Sequence, residues 1–186
     1  MEHYKSWSGL NKWLSSCLCS EFQGRITYFL TRYHKVHDAY GRAAIALDGH
    51  ELVCFEWMEI YRKESAVNAA WHQDKSQSYL GLYDSMKPQW DANCTYADID
   101  FLNAVLEFRN LSIQDALASE NYIIKILAIL DKRLGKRTLK QIAERGAYKQ
   151  YPAWARQFYE LRLSAADPKI RTRMPSSEES TEGESL

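Results

Sequence analysis

The chain has 186 residues, of which 46% are hydrophobic, 13% aromatic and 26% charged. This composition is close to the average for globular proteins, so it excludes a fibrous or wholly disordered chain. Twenty-four basic residues balance twenty-four acidic ones, which removes any overall electrostatic attraction to nucleic acid or anionic lipid.

Targeting signals and disulfide patterns are also missing from the sequence. No apolar run approaches the roughly 20 residues that span a bilayer, and the N-terminus lacks the pattern of a signal peptide. The four cysteines, Cys17, Cys19, Cys54 and Cys94, are too few and too scattered for the framework of a small secreted domain. We therefore expect a cytoplasmic protein with reduced thiols and no membrane association.

The first part of the chain predicts a helix and then a three-stranded antiparallel meander. Apolar residues from Leu10 to Leu18 have helical spacing, with Ser8 as the expected cap. Asp48-Gly49 is a strong hairpin signal, because a type I′ turn needs two residues that tolerate positive φ. The predicted strands cover residues 25–33, 42–47 and 51–57.

The second part predicts a layer of about five helices. A helix is expected over residues 58–71, whereas residues 73–94 lose clear periodicity and predict an irregular segment. Thr95 and Asp98 resemble a capping box before the next helix. Ser112 is the expected cap of a short helix that ends at Ala118.

Residues 120–134 are apolar on nearly every side, which predicts a central buried helix with Gly135 at its C′ position. A further helix should end at Gly146, and Pro152 should begin the last one. The buried edge of that last helix is predicted as Trp154, Phe158, Leu161 and Ala165. A faint repeat at an offset of 31 residues gives these helices a weak likeness to HEAT repeats.

The predicted fold class is therefore α+β, with one domain over residues 1–166. Its sheet part covers residues 1–57 and its helical part residues 58–166. Residues 167–186 are rich in Pro, Ser and Glu, which predicts a disordered acidic tail.

Titratable side chains concentrate at the bend between the first two strands, at Arg32, His34, Lys35, His37, Asp38 and Arg42. A zinc site is disfavoured there, because positions 34 and 37 point to opposite faces of a strand. An ion pair between Asp38 and Arg42 is the simpler expectation. Acid-base chemistry by His37 or His34 with Asp38 is conceivable, but no nucleophile lies adjacent. Cys54 lies between apolar neighbours, where a buried thiol is normally inert.

A basic patch follows the central helix, at Lys132, Arg133, Lys136, Arg137 and Lys140, with Arg145, Lys149 and Arg156 as extensions. Cations near a helix C-terminus stabilise its dipole, so the patch has a structural explanation. Phosphate contact with nucleic acid is the functional alternative.

Four aromatic residues, Tyr79, Tyr83, Trp90 and Tyr96, lie in or beside the irregular segment. We expect them to close one end of the core. A protein-binding surface is the alternative, because Tyr, Trp and Arg dominate interface hot spots.

Several short motifs are spread along the chain outside residues 58–94. They are Gly24-Arg25, Arg32-Tyr33, His37-Asp38, Gly41-Arg42-Ala43, Asp48-Gly49-x-Glu51-Leu52, Leu111-Ser112-Ile113, Ala116-Leu117, Ser119-x-Asn121, Leu127-Ala128-x-Leu130-Asp131-x-Arg133-Leu134-Gly135-Lys136-Arg137-x-Leu139 and Phe158-Tyr159-x-Leu161-Arg162. On these motifs the chain resembles a family of small bacterial cytoplasmic proteins of uncharacterised function. The resemblance extends over most of residues 7–163 and implies one domain and a bacterial origin, but no activity. Asp131 and Arg162 within it suggest an ion pair between helices.

The leading functional expectation is a non-catalytic cytoplasmic protein-binding module, for instance an immunity-type or regulatory inhibitor that masks another protein. We expect it to bind through Arg32, His34, His37, Asp38 and Arg42. Nucleic-acid binding through the basic patch is one alternative. The other is a hydrolase or nuclease centred on His37 and Asp38. No metal or other cofactor is expected, since the sequence has no phosphate loop and no metal-ligand spacing.

Overall fold

A computed structural model describes residues 6–32 and 41–166, with the side chain of Arg32 excepted. Helix α1 and the three strands come first: α1 Trp7–Cys17, β1 Ile26–Arg32, β2 Gly41–Leu47 and β3 His50–Glu56. The helices that follow are α2 Met58–Gln73, α3 Tyr79–Ala92, α4 Asp98–Phe108, α5 Ile113–Ala118, α6 Tyr122–Leu130, α7 Lys136–Arg145 and α8 Ala153–Ala166, with a 3₁₀ turn at Ala147–Gln150 before α8. The predicted α+β fold is confirmed, and seven α-helices follow the sheet in the described part where about five were predicted.

The sheet is a meander in the order β1-β2-β3, with both pairs antiparallel. Asp48 and Gly49 turn the chain between β2 and β3 with φ values of 51° and 84°, which confirms the predicted hairpin. Arg25 clamps this turn, because its guanidinium donates hydrogen bonds to both carboxylate oxygens of Asp48.

One face of the sheet forms the main core. Tyr28, Ile45 and Phe55 point into it, and Phe101 of α4 stacks on the ring of Phe55 at 5.3 Å between centroids. Burial of such large apolar groups supplies most of the stabilisation of a domain. On the opposite face, Phe29 keeps 49% of its surface exposed.

Side chains occupy main-chain carbonyls on both edges of the sheet. At β1, the side-chain amide of Asn11 donates a hydrogen bond to the carbonyl oxygen of Tyr28. At β3, Gln157 of α8 donates to the carbonyl oxygen of Leu52 at 2.9 Å. The thiol of Cys94 lies 4.0 Å from the carbonyl oxygen of Cys54. Edge strands with occupied carbonyls are poor templates for pairing with another chain.

The central helix α6 is buried as predicted, since every residue from Ile123 to Leu130 except Lys125 is buried. It ends at Leu130 and not at 134, because the next residues pair with the chain after α1. The N–H of Cys19 donates to the carbonyl oxygen of Leu130, and the N–H of Lys132 donates to that of Cys17. Gly135 therefore does not end α6 but begins α7 as its N-cap. Gly146 ends α7 as predicted, with φ at 64°.

Two predicted helix caps are wrong by a few residues. The oxygen of Ser6, and not of Ser8, accepts from the N–H of Gly9 at the start of α1. At α4 the N-cap is Ala97, whose N–H donates to the carboxylate of Asp100 at 2.8 Å. At α1 two serines could act as the cap, so the residue pattern did not select one. At α4 the N-cap has no side-chain acceptor, so a search for acceptor residues could not find it. The predicted Ser112 cap of α5 is confirmed.

Tertiary contacts also correct two predictions for the last helix. Residue Ala165 of the predicted buried edge is exposed, and the residues buried on α8 are Ala155, Phe158, Tyr159, Arg162 and Leu163. Asp131 pairs with Arg133, whereas Arg162 pairs with Glu21. The expected pair of Asp131 with Arg162 is therefore wrong, because each has a closer partner.

Residues 73–94 are not irregular, because most of them form α3. Gly81 and Pro88 both lie inside this helix, and both residue types are unfavourable in a helix interior. Ser78 caps α3 by accepting from the N–H of Gly81. None of the helices in residues 6–32 and 41–166 is long and apolar enough to cross a membrane. The predicted tail over residues 167–186 lies outside the described residues.

Candidate functional site

The bend between β1 and β2 is described only at its two ends. His34, His37 and Asp38 lie outside the described residues, as does Lys35. Arg32 ends β1 and is paired with Gly41 across the sheet. The expected binding role of the bend, its acid-base chemistry and the pair of Asp38 with Arg42 all stay predictions.

Arg42 forms a two-pronged ion pair with Glu51 on the outer face of the sheet. The hydrogen bonds between them raise the pKa of Arg42 and lower the pKa of Glu51. The guanidinium reaches along β2 past Ala44, which is buried. Arg42 is therefore held in place by its own sheet, and a partner would meet the pair and not a free cation.

Gly41 begins β2 and lies against the first residue of helix α4, Asp98. A Cβ atom at this position would lie 1.9 Å from Oδ2 of Asp98, so only glycine fits. Asp98 is almost fully buried at the first residue of α4. The start of α4 and the second end of the bend are thus fixed against each other.

Helices α2 and α3 form an antiparallel hairpin, the α2–α3 hairpin, that makes its main contacts within itself. It has a small apolar cluster of its own, formed by Val67, Leu82 and Trp90, which is separate from the main core. Four further side chains are partly buried against this cluster: Ala70, Trp71, Tyr79 and Met86. Most other residues of the two helices are exposed.

Large apolar side chains lie on the outside of the α2–α3 hairpin. Leu80 is 75% exposed, Tyr61 is 43% exposed and Tyr83 is 37% exposed. The ring of Tyr83 packs edge-on against Trp90 at 4.4 Å between centroids, and Tyr61 packs against Trp57. Each tyrosine ring therefore packs against a tryptophan on one side and is open to solvent on the other.

A mixed polar and aromatic cluster fixes the base of the hairpin to the body. Nζ of Lys63 lies 5.0 Å from the ring centre of Tyr96 and 5.7 Å from that of Trp90. The same ammonium group is 3.4 Å from the carboxylate of Asp100. The hydroxyl of Tyr96 donates to the carboxylate of Asp91 at 2.5 Å. Burial, then this hydrogen bond, raises the pKa of Tyr96, so the phenol remains a donor.

The four aromatic residues named in the sequence analysis therefore have divided roles. Tyr96 packs against the main core, as expected, whereas Trp90 and Tyr79 belong to the separate cluster of the hairpin. Tyr83 is exposed beside them. The residues missed were Tyr61, Leu80 and Lys63. Helical spacing of Tyr79, Tyr83, Met86 and Trp90 was the signal that could have found the surface, and Gly81 and Pro88 concealed it.

The basic patch is divided by the end of α6. Nζ of Lys132 donates to the carbonyl oxygen of Ser16 at 2.7 Å. Arg133 pairs with the buried carboxylate of Asp131 and lies over the ring of Phe108. These two cations hold the fold together. Lys136, Arg137 and Lys140 are instead exposed on α7.

The cysteine side chains are not poised as nucleophiles. Burial raises the pKa of Cys54, and it raises the pKa of Cys94 to about 12. A thiol with a raised pKa stays protonated near neutral pH and is a poor nucleophile. Within the part of the chain that the structure describes, no group of three or more His, Cys, Asp or Glu side chains could hold a metal ion.

Comparison with known proteins identifies the family to which the chain belongs. A family model described as the SF0329 protein family matches residues 6–163. The chain belongs to the SF0329 protein family. This family is uncharacterised, and no curated protein and no solved structure matches the chain.

The family match includes the whole α2–α3 hairpin of this SF0329 protein. Residues 58–94, over which the motifs of the sequence gave no clear resemblance, therefore lie within the matched range. The match ends at residue 163, within the last turn of α8.

Proposed function

We propose that this protein is a non-catalytic protein-binding module whose binding element is the α2–α3 hairpin. Its partner is a different protein that presents an apolar surface to Tyr61, Leu80 and Tyr83. The observation that carries the proposal is the composition of the hairpin, which has three buried residues in its apolar cluster but four exposed large apolar side chains, Met58, Tyr61, Leu80 and Tyr83.

Two arguments support this choice of surface. Two isolated helices of this length are marginal in water, because most helical stability comes from tertiary packing. A partner that covers the outside of the hairpin would supply that packing. Aromatic side chains that pack against a tryptophan on one side are also restricted in their motion. Little conformational entropy is therefore lost when a partner binds them.

The charges of the hairpin favour an apolar partner over a strongly charged one. Glu59 is neutralised by Arg62, and Asp91 by Lys87. Lys63 is held between Asp100 and two aromatic rings. Electrostatic steering would therefore be weak, and affinity would come from buried apolar area. A module that masks an apolar surface in this way suits an inhibitor or immunity protein of the bacterial cytoplasm.

The proposal can be tested with a photo-reactive amino acid placed at Leu80. The same group at Lys12, which is exposed on α1, serves as the matched control. We expect a protein cross-linked from position 80 and not from position 12. The purified partner should then bind at least tenfold more weakly to a Leu80→Asp, Tyr83→Asp variant, since interface hot spots contribute about 2 kcal/mol or more.

Three results would contradict the proposal. One is cross-linking from both positions alike. Another is a purified complex whose Kd the double variant leaves unchanged while its circular dichroism shows a folded protein. The third is a cross-linked product that contains only a second copy of this chain, which would assign the hairpin to self-association.

Nucleic-acid binding is a second candidate, favoured by the position of two cations. Lys136 and Arg137 occupy the first turn of α7, which carries no acidic residue. Cations are unfavourable at a helix N-terminus by about 0.3–1 kcal/mol. Their presence there is explained if an anion such as a phosphate binds.

Charge reversal at Lys136, Arg137 and Lys140 tests this candidate. A fluorescent 20-nucleotide single strand and a duplex of the same length are suitable probes. Nucleic-acid binding through this patch is excluded if the charge-reversed variant binds the probes as tightly as the wild type does. It is also excluded if the wild type binds neither probe at about 50 mM salt. Arg133 is left intact, because its loss would disturb the buried carboxylate of Asp131.

A further inference from the structure

A pocket with a volume of about 300 Å³ opens between α5, α7, the 3₁₀ turn and α8. It lies away from the α2–α3 hairpin and shares no lining residue with it. Its volume is at the lower end of the range for ligand pockets, about 300–1,000 Å³. The occupant must therefore be small.

Three tyrosines form the aromatic wall of this tyrosine pocket. The left-handed turn at Gly146 leads the chain out of α7 and into the 3₁₀ turn that carries Tyr148. The ring of Tyr148 is nearly parallel to that of Tyr159, at 8° and 5.6 Å between centroids. Tyr151 meets Tyr159 edge-on at 5.3 Å. Tyr159 is buried, so the other two rings are held on a rigid base.

The tyrosine phenols stay protonated over a wide pH range. Burial, the largest cause in each case, raises the pKa of Tyr148, Tyr151 and Tyr159. Tyr159 already donates to the carbonyl oxygen of Lys125 and is hydrogen-bonded to Tyr151, so Tyr148 is the tyrosine whose hydroxyl can donate to a ligand. The protonated wall carries no negative charge that would repel an anion.

The opposite wall supplies a cation and polar side chains. Arg145 lines the pocket from the last turn of α7, and Gln114 and Gln141 line it from α5 and α7. Across residues 6–32 and 41–166, Arg145 has no ion pair and neither glutamine donates or accepts a side-chain hydrogen bond. By contrast, Lys140 on the same helix pairs with Glu144. A guanidinium available beside aromatic rings suits a carboxylate or a phosphate.

We propose that the tyrosine pocket binds a small planar aromatic molecule that carries one anionic group. The ring packs against Tyr148 and Tyr151, the amides of Gln114 and Gln141 bond to polar atoms at its edge, and Arg145 holds the anionic group. Two sources share this chemistry, an aromatic carboxylate and a nucleoside monophosphate.

Isothermal titration calorimetry with two probes distinguishes the sources. Indole-3-acetate represents the carboxylates and AMP the nucleotides. Each probe has a neutral counterpart of similar shape, indole-3-acetamide and adenosine. We expect at least one anionic probe to bind, and its neutral counterpart to bind at least tenfold more weakly. Whichever probe binds more tightly identifies the source.

Three variants locate the binding. Arg145→Gln should weaken the anionic probe about tenfold, the equivalent of one charge-assisted hydrogen bond. Arg109→Gln is the matched control, since Arg109 is an exposed arginine that does not line the pocket. Ala118→Trp should abolish binding by filling the pocket from its rim, where Ala118 is exposed and a larger side chain does not disturb the core.

The proposal is overturned if neither anionic probe binds with a Kd below about 10 mM. It is equally overturned if the bound probe has the same Kd in the wild type, Arg145→Gln and Ala118→Trp. An equal loss of affinity in Arg145→Gln and Arg109→Gln would show general charge attraction and also contradict it. Thermal unfolding of each variant confirms that the fold is intact.

Discussion

The indole N–H of Trp154 donates a hydrogen bond to the main-chain carbonyl oxygen of Asp91 at 2.7 Å. This bond joins α8, which packs on the central helix α6, to the last turn of α3. Tyr96 bonds to the side chain of the same aspartate. Asp91 is therefore the point at which the α2–α3 hairpin is attached to the body of the protein.

The first prediction concerns this attachment. Trp154→Phe keeps an aromatic ring but removes the donor, so the carbonyl of Asp91 loses its partner. We expect a loss of about 1–2 kcal/mol in the free energy of unfolding and faster hydrogen exchange in residues 79–92. Trp13→Phe is the control, because Trp13 is also half-buried against a phenylalanine but is not placed at the hairpin. Equal exchange rates in the two variants would contradict the prediction.

The second prediction concerns Gly41, where a Cβ atom would collide with Asp98. Gly41→Ala should lower the free energy of unfolding by about 1–3 kcal/mol, the usual cost of overpacking. Gly9→Ala is the matched change inside α1, where the new atom would lie 3.5 Å from the nearest side chain. That variant should gain about 0.5–1 kcal/mol from helix propensity. Urea denaturation measures both, and the same sign for both changes would refute the explanation.

The third prediction concerns pH and the pair of Glu21 with Arg162. Burial alone would raise the pKa of Glu21, but hydrogen bonds from its own N–H, Ser20 and Arg162 lower it from 4.5 to about 2. The unfolded chain therefore binds more protons than the native state between these pH values. The stabilisation by Glu21 is present above pH 4.5 and is lost as the pH falls toward 2.

Glu21→Gln tests this linkage. The variant should unfold about 1 kcal/mol more easily at pH 7, a low value because Glu21 is partly exposed. Its stability should also fall less steeply with acid than that of the wild type, by up to one proton. Asp74→Asn is the comparison variant for a carboxylate that has a lowered pKa but no ion pair, because only hydrogen bonds from Ser76 and Gln77 lower the pKa of Asp74. An acid slope in Glu21→Gln equal to that of the wild type would show that the linkage is wrong.

The fourth prediction concerns the edge of β3. Gln157→Ala removes the amide that donates to the carbonyl oxygen of Leu52. We expect a loss of about 1 kcal/mol in the free energy of unfolding and more aggregation on heating, since the edge becomes available for pairing. Gln89→Ala, at an exposed position of α3, should change neither quantity. Light scattering during a thermal ramp compares the aggregation of the two variants.

Local chemistry was sufficient to predict the sheet and the central helix. Asp48 and Gly49 specify their own turn, which pairs Leu47 with His50 and Ala46 with Glu51. The register then shifts by one residue between Ala46 and Ile45, which the turn residues do not predict. The apolar residues of α6 allow only a buried helix. Features decided by distant contacts could not be predicted in this way. The end of α6 depends on pairing with Cys17 and Cys19, which are more than a hundred positions earlier in the chain.

In the candidate sites, too, local features could be predicted and contacts between distant residues could not. The sequence indicated aromatic residues and cations, but not which of them share a surface. Lys132 and Arg137 belong to one basic run, yet the first is tied to Ser16 and the second is exposed. The tyrosine pocket combines Gln114 with Tyr159, which no local pattern relates. Periodicity describes one element at a time, and a pocket between four elements lies beyond it.

The separate apolar cluster of the α2–α3 hairpin predicts two regions of unequal stability. Because Val67, Leu82 and Trp90 pack outside the main core, we expect the hairpin to open locally while the sheet and α6 stay intact, once the bonds of Asp91 to Trp154 and Tyr96 are broken. Limited proteolysis should then cut first in the exposed connection at residues 74–78. A partner that closes the hairpin would reveal itself as protease protection at a site that it does not touch.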